Sequence, residues 1–364
     1  MKILFAGGGT GGHIFPIIAI IQALRKVNPN DNDFLWLNSG NDLEIKISQE
    51  YNIPSKKILC GKARRYFSLW NLTDLFKTGF GFLQSFWIIL KFNPKIIFAK
   101  GGFVSLPVIL AGIILRKKIY SHESDRVLGL VNRFFLPFFE KIFLTFPLKE
   151  KSDLEKYKNQ FLLTGNPIRA EFLEAENKKP ELKNQTKTIL ALGGSQGANN
   201  LNNFLISILD KLLLKYNVIH LTGKNWQIDN SILKQKLDNS VCVYKNYKFL
   251  SAKKLNQIYN QADLAISRAG SGVLTELSLK GVPAILIPYP SSSANHQLEN
   301  AKFFQKKGAT VILNEFDLNT KFFLKTINDL LQDEKRLKNM QKNMFRLSKK
   351  DAGGEIIKHL LKNA

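Results

Sequence analysis

The stretch KILFAGGGTGGH, Lys2–His13, joins a short apolar run to five glycines and a histidine. An uninterrupted apolar run of this length reads as a strand buried on both faces. Glycine lets main-chain N–H groups approach an anion with no Cβ in the way. The helix that follows offers unpaired N–H groups and the positive end of its dipole. Strand, glycine turn and helix thus open a doubly wound α/β domain, and the turn is a candidate phosphate cradle. His13 falls in the first turn of that helix, where neighbouring N–H groups disfavour its cation. A neutral imidazole there can take a proton near neutral pH.

The same device returns twice. KGGF (Lys100–Phe103) and GGSQGA (Gly193–Ala198) also follow apolar runs. Working outward, strands are expected at Lys2–Ala6, Phe34–Asn38, Lys56–Cys60, Lys95–Ala99, Lys118–Ser121, Lys141–Thr145 and Phe161–Thr164. A second series is expected at Thr188–Leu192, Val218–Leu221, Val241–Tyr244, Asp263–Ser267, Ala284–Pro288 and Thr310–Leu313. Helix-like segments separate them, so the fold class is α/β with parallel sheets covered on both faces. The polar, proline-containing stretch Gly165–Lys187 interrupts the series and reads as a linker. Two domains follow from this, residues 1–164 and 165–345, with a terminal helix at about 346–364 packing back on the first.

The first loop also satisfies G-x-G-x-x-G through Gly7, Gly9 and Gly12. A dinucleotide site would put an acidic residue at the end of the next strand. The chain has Asn38 there, and a second glycine loop opens its second domain. Both argue against a dehydrogenase.

The formal net charge is +24 over 364 residues, which suits an anionic partner or a basic compositional drift. A nucleic-acid-binding protein would account for the charge but not for three glycine loops, and no nucleic-acid motif is present. Cys60 and Cys242 lack metal-ligand spacing and cannot form a disulfide framework, which fits a reducing compartment. The N-terminus enters a strand directly, with no leader pattern expected. No apolar run reaches the ~18–20 residues that span a bilayer.

Seven motifs occur in order: GGGTGGHIFP, AKGGFVSLP, HES before VNR, TGNPIR, LGGSQGA, SRAGSGVLTEL and ANHQLENA. As an ordered set they resemble the MurG family of bacterial UDP-N-acetylglucosamine transferases, from residue 1 to about residue 305. The resemblance implies the GT-B architecture of two Rossmann-like domains. It also implies inverting transfer of GlcNAc from UDP-GlcNAc to the C4 hydroxyl of MurNAc in lipid I, giving lipid II for peptidoglycan. Donor contacts carried over by motif are Thr10, Gly11 and Gly12, then Arg169, Ser195, Arg268, Gly270 and Ser271. Glu276 would accept from the ribose hydroxyls, and Gln297 would read the sugar. Gly101 and Gly102 match an acceptor-diphosphate turn. The family usually reads His-Glu-Gln-Asn where this chain has His122-Glu123-Ser124-Asp125. Asp125 therefore replaces an amide donor with a charge, to be balanced by Arg126 or turned to a sugar hydroxyl.

Direct displacement needs one base on the acceptor and stabilisation of the leaving diphosphate, not the two carboxylates of a glycosidase. His13 is the first candidate base, and Glu123 the reserve. The GGSQG helix N-terminus and nearby cations would assist UDP departure, so no metal or other cofactor is implied. The D-x-D match Asp31–Asp33 lies in a polar turn far in sequence from the donor motifs.

Between Tyr51 and Tyr120 stand twelve Lys and Arg residues against a single acid, Asp74. The same region contains YFSLWNLTDLFKTGFGFLQSFWIIL, Tyr66–Leu90. An apolar helix flanked by cations suits an anionic membrane surface. Leu69, Trp70, Leu72, Phe76, Phe80 and Phe82 are the expected contacts, against the alternative of a buried helix with a basic rim. With a lipid-linked acceptor, the expected location is peripheral, on the cytoplasmic face of the inner membrane. Other cell-wall synthesis proteins are candidate partners. A diacylglycerol glycosyltransferase would share the scaffold and the membrane dock.

Overall fold

The computed structural model describes residues 1–27, 33–61, 70–149, 152–174, 186–194, 197–228, 230–238 and 240–362. The chain divides into two compact units, Met1–Ala170 with Asp351–Ala364, and Glu171–Lys350.

The first unit is built on seven strands: β1 (Ile3–Ala6), β2 (Phe34–Asn38), β3 (Ser55–Lys57), β4 (Ile96–Ala99), β5 (Lys118–Glu123), β6 (Lys141–Leu144) and β7 (Phe161–Leu163). Their order is β3-β2-β1-β4-β5-β6-β7, and all six neighbouring pairs are parallel. Successive side chains on a strand face opposite sides. Ile3 and Phe5 accordingly enter one core with Phe34, Trp36 and Phe98, while Leu4 and Ala6 enter the other with Leu35, Leu37 and Ile97. That two-sided burial explains why β1, β2 and β4 read as continuous apolar runs.

Helices α1 (Gly11–Val27), α2 (Asp42–Glu50), α3 (Trp70–Phe92), α4 (Gly102–Ile114) and α5 (Leu130–Phe134) follow in this unit. Ile14, Ile17, Ile18 and Ile21 of α1 pack with Ile356, Ile357 and Leu360 of the C-terminal helix Ala352–Lys362. That helix therefore belongs to the first unit, as the amphipathic spacing of its apolar residues requires.

The second unit holds β8 (Thr188–Leu192), β9 (Asn217–Leu221), β10 (Tyr244–Tyr247), β11 (Leu264–Ser267), β12 (Ala284–Leu286) and β13 (Thr310–Ile312). The order is β10-β9-β8-β11-β12-β13, again with parallel pairs. Two strands are displaced from their expected places: Lys56–Cys60 contributes only Lys56 and Lys57, because the ladder pairs Ser55–Lys57 with Trp36–Asn38. Val241–Tyr244 contributes only Tyr244, because the ladder pairs Tyr244–Tyr247 with Val218–Leu221. The Val243 N–H instead goes to the Asn217 side chain. The divide between units falls after Ala170 rather than at 164, so the TGNPIR motif stays with the first unit.

In both sheets strand order reverses direction beside the first strand, between β1 and β4 and between β8 and β11. Ligands of open parallel sheets bind outside the carboxyl ends of strands at such switch points. The turns after these four strands are GGGTGGH, KGGF, GGSQGA and RAGS. The fold thus gathers the glycine motifs at one switch point in each unit.

Candidate active site

In the first unit, the turn after β1 is held by a residue from α2. Glu44 is fully buried. Its carboxylate accepts the Gly9 N–H at 2.6 Å, the Ser39 hydroxyl at 2.8 Å and the Asn41 N–H at 2.9 Å. A Cβ at Gly8 would stand 2.1 Å from Glu44 Oε1, so any side chain there would displace this anchor. Thr10 and Gly12 remain exposed, while Gly11 is buried against Phe15.

His13 enters from the first turn of α1. Its Nδ1 lies 3.3 Å from the Lys100 carbonyl oxygen. A carbonyl only accepts, so Nδ1 is the donor, and in the neutral ring the lone pair lies on Nε2. The turn after β4 closes on the same ring. Gly101 and Gly102 have φ of +77° and +74°, a conformation that favours glycine. A Cβ at Gly102 would lie 3.3 to 3.4 Å from the His13 ring atoms.

At the end of β5 the carboxylate of Glu123, the reserve candidate for the base, accepts three hydrogen bonds. Glu123 Oε2 accepts the Gly129 N–H at 2.8 Å and the Asn132 amide at 2.9 Å, and Oε1 accepts the Asp125 N–H at 3.3 Å. Burial and the Asp125 charge push its carboxyl up. These bonds make Glu123 the anchor of the Ser124–Gly129 turn. Arg126, the expected partner of Asp125, donates its Nε to the Pro147 carbonyl. His122 is fully buried, and burial first, then the Lys100 charge, hold it well below the ordinary imidazole range. Its Nε2 faces the Gly165 carbonyl at 3.3 Å. Arg169 is buried, with its guanidinium carbon 3.9 Å from the centre of the Phe15 ring, a cation–π contact.

In the second unit, the loop after β8 nests against a second turn. A Cβ on Gly223 would lie 2.4 Å from the Gly197 nitrogen, so these two backbones touch. Asn202 donates to the Thr222 carbonyl at 2.8 Å, which leaves its oxygen to accept from His220 Nε2 at 3.0 Å. His220 Nδ1 then accepts from the Tyr244 hydroxyl at 3.1 Å. Burial lowers His220 to about 4 and pushes Tyr244 up to about 12, so both stay neutral. Ser195 lies outside the described residues, between Gly194 and Gly197.

Arg268 follows β11, and its guanidinium is not an open cation. It makes two hydrogen bonds to Glu315 at 2.9 and 2.8 Å and a third to the Ile287 carbonyl at 3.1 Å. Three of its five N–H donors are thus engaged within this unit, and the side chain braces the turn. Gly270 caps the helix Ser271–Lys280, and a Cβ at Gly270 or Gly272 would meet nothing within 4 Å. That helix end lies open to a ligand, with Ser271 at its first position. Glu276, one turn on, accepts from the Tyr259 hydroxyl at 2.8 Å. Gln297 accepts the Tyr289 N–H at 2.9 Å, and the buried Asn300 donates to the Ala269 carbonyl at 3.2 Å. The NHQLENA motif thereby holds the RAGS turn and the β12 exit.

Comparison with known proteins gives the family. Residues 3–144 match the glycosyltransferase family 28 N-terminal domain, and residues 188–356 match the family 28 C-terminal domain. The chain belongs to glycosyltransferase family 28. A Borreliella burgdorferi relative is 37% identical, over 99% of this chain and 96% of its own length. A Halothermothrix orenii relative is 37% identical, over 98% and 97%. Both are named UDP-N-acetylglucosamine–N-acetylmuramyl-(pentapeptide) pyrophosphoryl-undecaprenol N-acetylglucosamine transferase. The crystal structure of Acinetobacter baumannii MurG superposes over the whole of both chains, with a TM-score of 0.76 at 23% identity. The two parallel α/β sheets of this family 28 chain are thus the GT-B fold.

The apolar helix of this family 28 member is two-sided. Leu72, Leu75, Phe76, Phe80, Leu83, Trp87 and Leu90 of α3 are all exposed, with Trp87 at 69%. They recur every three or four residues, forming one stripe. Phe82 departs from its expected role: it packs on the core under β4 and β5 with Phe86 and Ile88. Its position falls a half turn away from Phe80 and Leu83's common face. Leu69 and the Trp70 side chain lie outside the described residues, as do Asp31 and Asn32 of the D-x-D match. Among the described residues no helix is long and apolar enough to cross a membrane.

Sequence reasoning missed Glu44, Lys100, Asn132, His220 and Glu315 as site supports. Only Glu44 carried a local signal, the capping-box spacing Asn41-x-x-Glu44. The others depend on contacts between residues distant in sequence.

Proposed function

We propose that this chain is an inverting glycosyltransferase that moves GlcNAc from UDP-GlcNAc to the C4 hydroxyl of MurNAc in lipid I, forming lipid II. The observation that carries the reading is the His13 imidazole, fixed as the Nδ1–H tautomer between two glycine turns, in a chain related end to end to transferases of that name. Nε2 of His13 takes the acceptor hydroxyl proton as the oxygen attacks the anomeric carbon from the face opposite UDP. Gly101 and Gly102 offer main-chain N–H groups to the acceptor diphosphate. In the second unit, the Gly193–Gly197 loop and the Ser271 helix N-terminus receive the donor diphosphate. Glu276 and Gln297 address the ribose and the sugar, and Thr10, Gly11, Gly12, Asp125 and Arg169 complete the donor contacts. Arg268 supports the nucleotide turn through Glu315.

The exposed stripe of α3, with the basic residues around it, docks on anionic lipid at the cytoplasmic face, where a lipid-linked acceptor would be reached. The test is direct. Purified protein is incubated with UDP-GlcNAc and a lipid I analogue in EDTA, and UDP release and disaccharide are followed together. Coupled appearance of both is expected. Donor binding without transfer to this acceptor would overturn the reading and point to another lipid hydroxyl, such as diacylglycerol.

A further inference from the structure

Lys100 touches every loop around His13. Its main-chain N–H donates to the Ala6 carbonyl at 2.8 Å, at the end of β1. Its Cβ lies 2.8 Å from where a Cβ on Gly7 would stand, so its stem fills the floor of the first glycine loop. Its carbonyl accepts from His13 Nδ1. The residue is 2% exposed, and its ammonium donates to the Ser124 hydroxyl at 2.8 Å in the turn after β5. Gly101 and Gly102 follow it directly in the chain.

A buried ammonium is costly unless it is paired. The balancing charges here are the Glu123 and Asp125 carboxylates, both at the end of β5. The other titratable groups facing this cluster are His13 on α1 and His122 on β5, and Glu44 on α2 holds the adjoining Gly9 amide. Burial nonetheless draws the lysine below its ordinary range. A residue kept for packing alone would be served by methionine or leucine at this depth.

We propose that Lys100 is the positioning residue of the acid–base centre. Its carbonyl fixes which nitrogen of His13 accepts the proton, and its ammonium keeps that nitrogen unprotonated while tying the β5 turn to both glycine loops. The proposal rests on His13 being the base. It also explains how Asp125 stands beside a diphosphate-binding turn: Lys100 offsets its charge from below.

Two measurements test it. In the first, the ring nitrogens of ¹⁵N-histidine-labelled wild-type protein are read by NMR, with His13 assigned from a His13→Gln sample. The Nδ1–H tautomer is expected, and the Nε2–H tautomer would overturn the proposal. In the second, the pH profile of kcat is compared between wild type and Lys100→Met. Loss of the buried positive charge should lower kcat at least tenfold and move the acidic limb to higher pH. A fall in kcat with the limb unmoved would mean a packing role and overturn the proposal. Ser124→Ala keeps the charge and should leave the limb in place; a limb shift of the same size there would also overturn it. Absence of transfer by wild type would sink the functional reading alone, because the tautomer measurement needs no turnover.

Discussion

Arg268 and Glu315 face each other fork to fork, with two hydrogen bonds of 2.9 and 2.8 Å and side chains only 12% and 8% exposed. They are 47 residues apart, and they join the turn after β11 to the segment after β13. The guanidinium also holds Glu315 below the usual carboxylate range.

This pairing predicts strong coupling. Arg268→Ala or Glu315→Ala alone leaves one charge largely buried and should cost about 3 kcal/mol. The double variant should cost clearly less than the sum. Urea denaturation of all four proteins completes the cycle, and simple additivity would show the pair to be uncoupled.

His13→Ala should reduce transfer by about 10²- to 10⁴-fold, the span of general-base catalysis. UDP-GlcNAc binding by calorimetry should change by less than about threefold, since the residue acts on the acceptor hydroxyl. A large loss of donor affinity with little loss of kcat would move His13 out of the base role.

The α3 stripe predicts a surface effect without a folding effect. Phe76→Glu and Trp87→Glu change residues that are 62% and 69% exposed. Each should weaken sedimentation with anionic liposomes at low salt and leave the melting temperature within about 1 °C, as surface substitutions usually do. Phe82→Glu should do the reverse and destabilise, because Phe82 packs on the core. Rising salt should release the wild-type protein.

His220 predicts acid sensitivity in the second unit. Its folded-state value is near 4, against an ordinary 6.5. The unfolded chain therefore binds a proton that the folded chain refuses. Stability is full above pH 6.5 and falls as pH drops toward 4, by about 3 kcal/mol in all. His122, also lowered by burial, adds a loss of the same sign in the first unit. Thermal melts at pH 7 and pH 5 should show a smaller drop in His220→Gln than in wild type.

Sequence alone determined the strand–turn–helix units, because two-sided burial demands continuous apolar strands and anion-binding turns demand glycine. It also determined the α/β class and the ordered motifs by which the family is recognised. Leu72, Phe76 and Phe80 were readable as one apolar face from helical spacing. Phe82 was not separable from them, since composition does not say which face of α3 meets the sheet. What only the tertiary structure decided is how charge is disposed. Arg268 reads as an unpaired cation until Glu315 is folded onto it, and nothing local shows that Glu123 is held by Gly129 and Asn132. Lys100 reads as one more basic residue until burial places it under His13. Each depends on residues brought together by the sheet order, and local propensity carries no record of partners that far away.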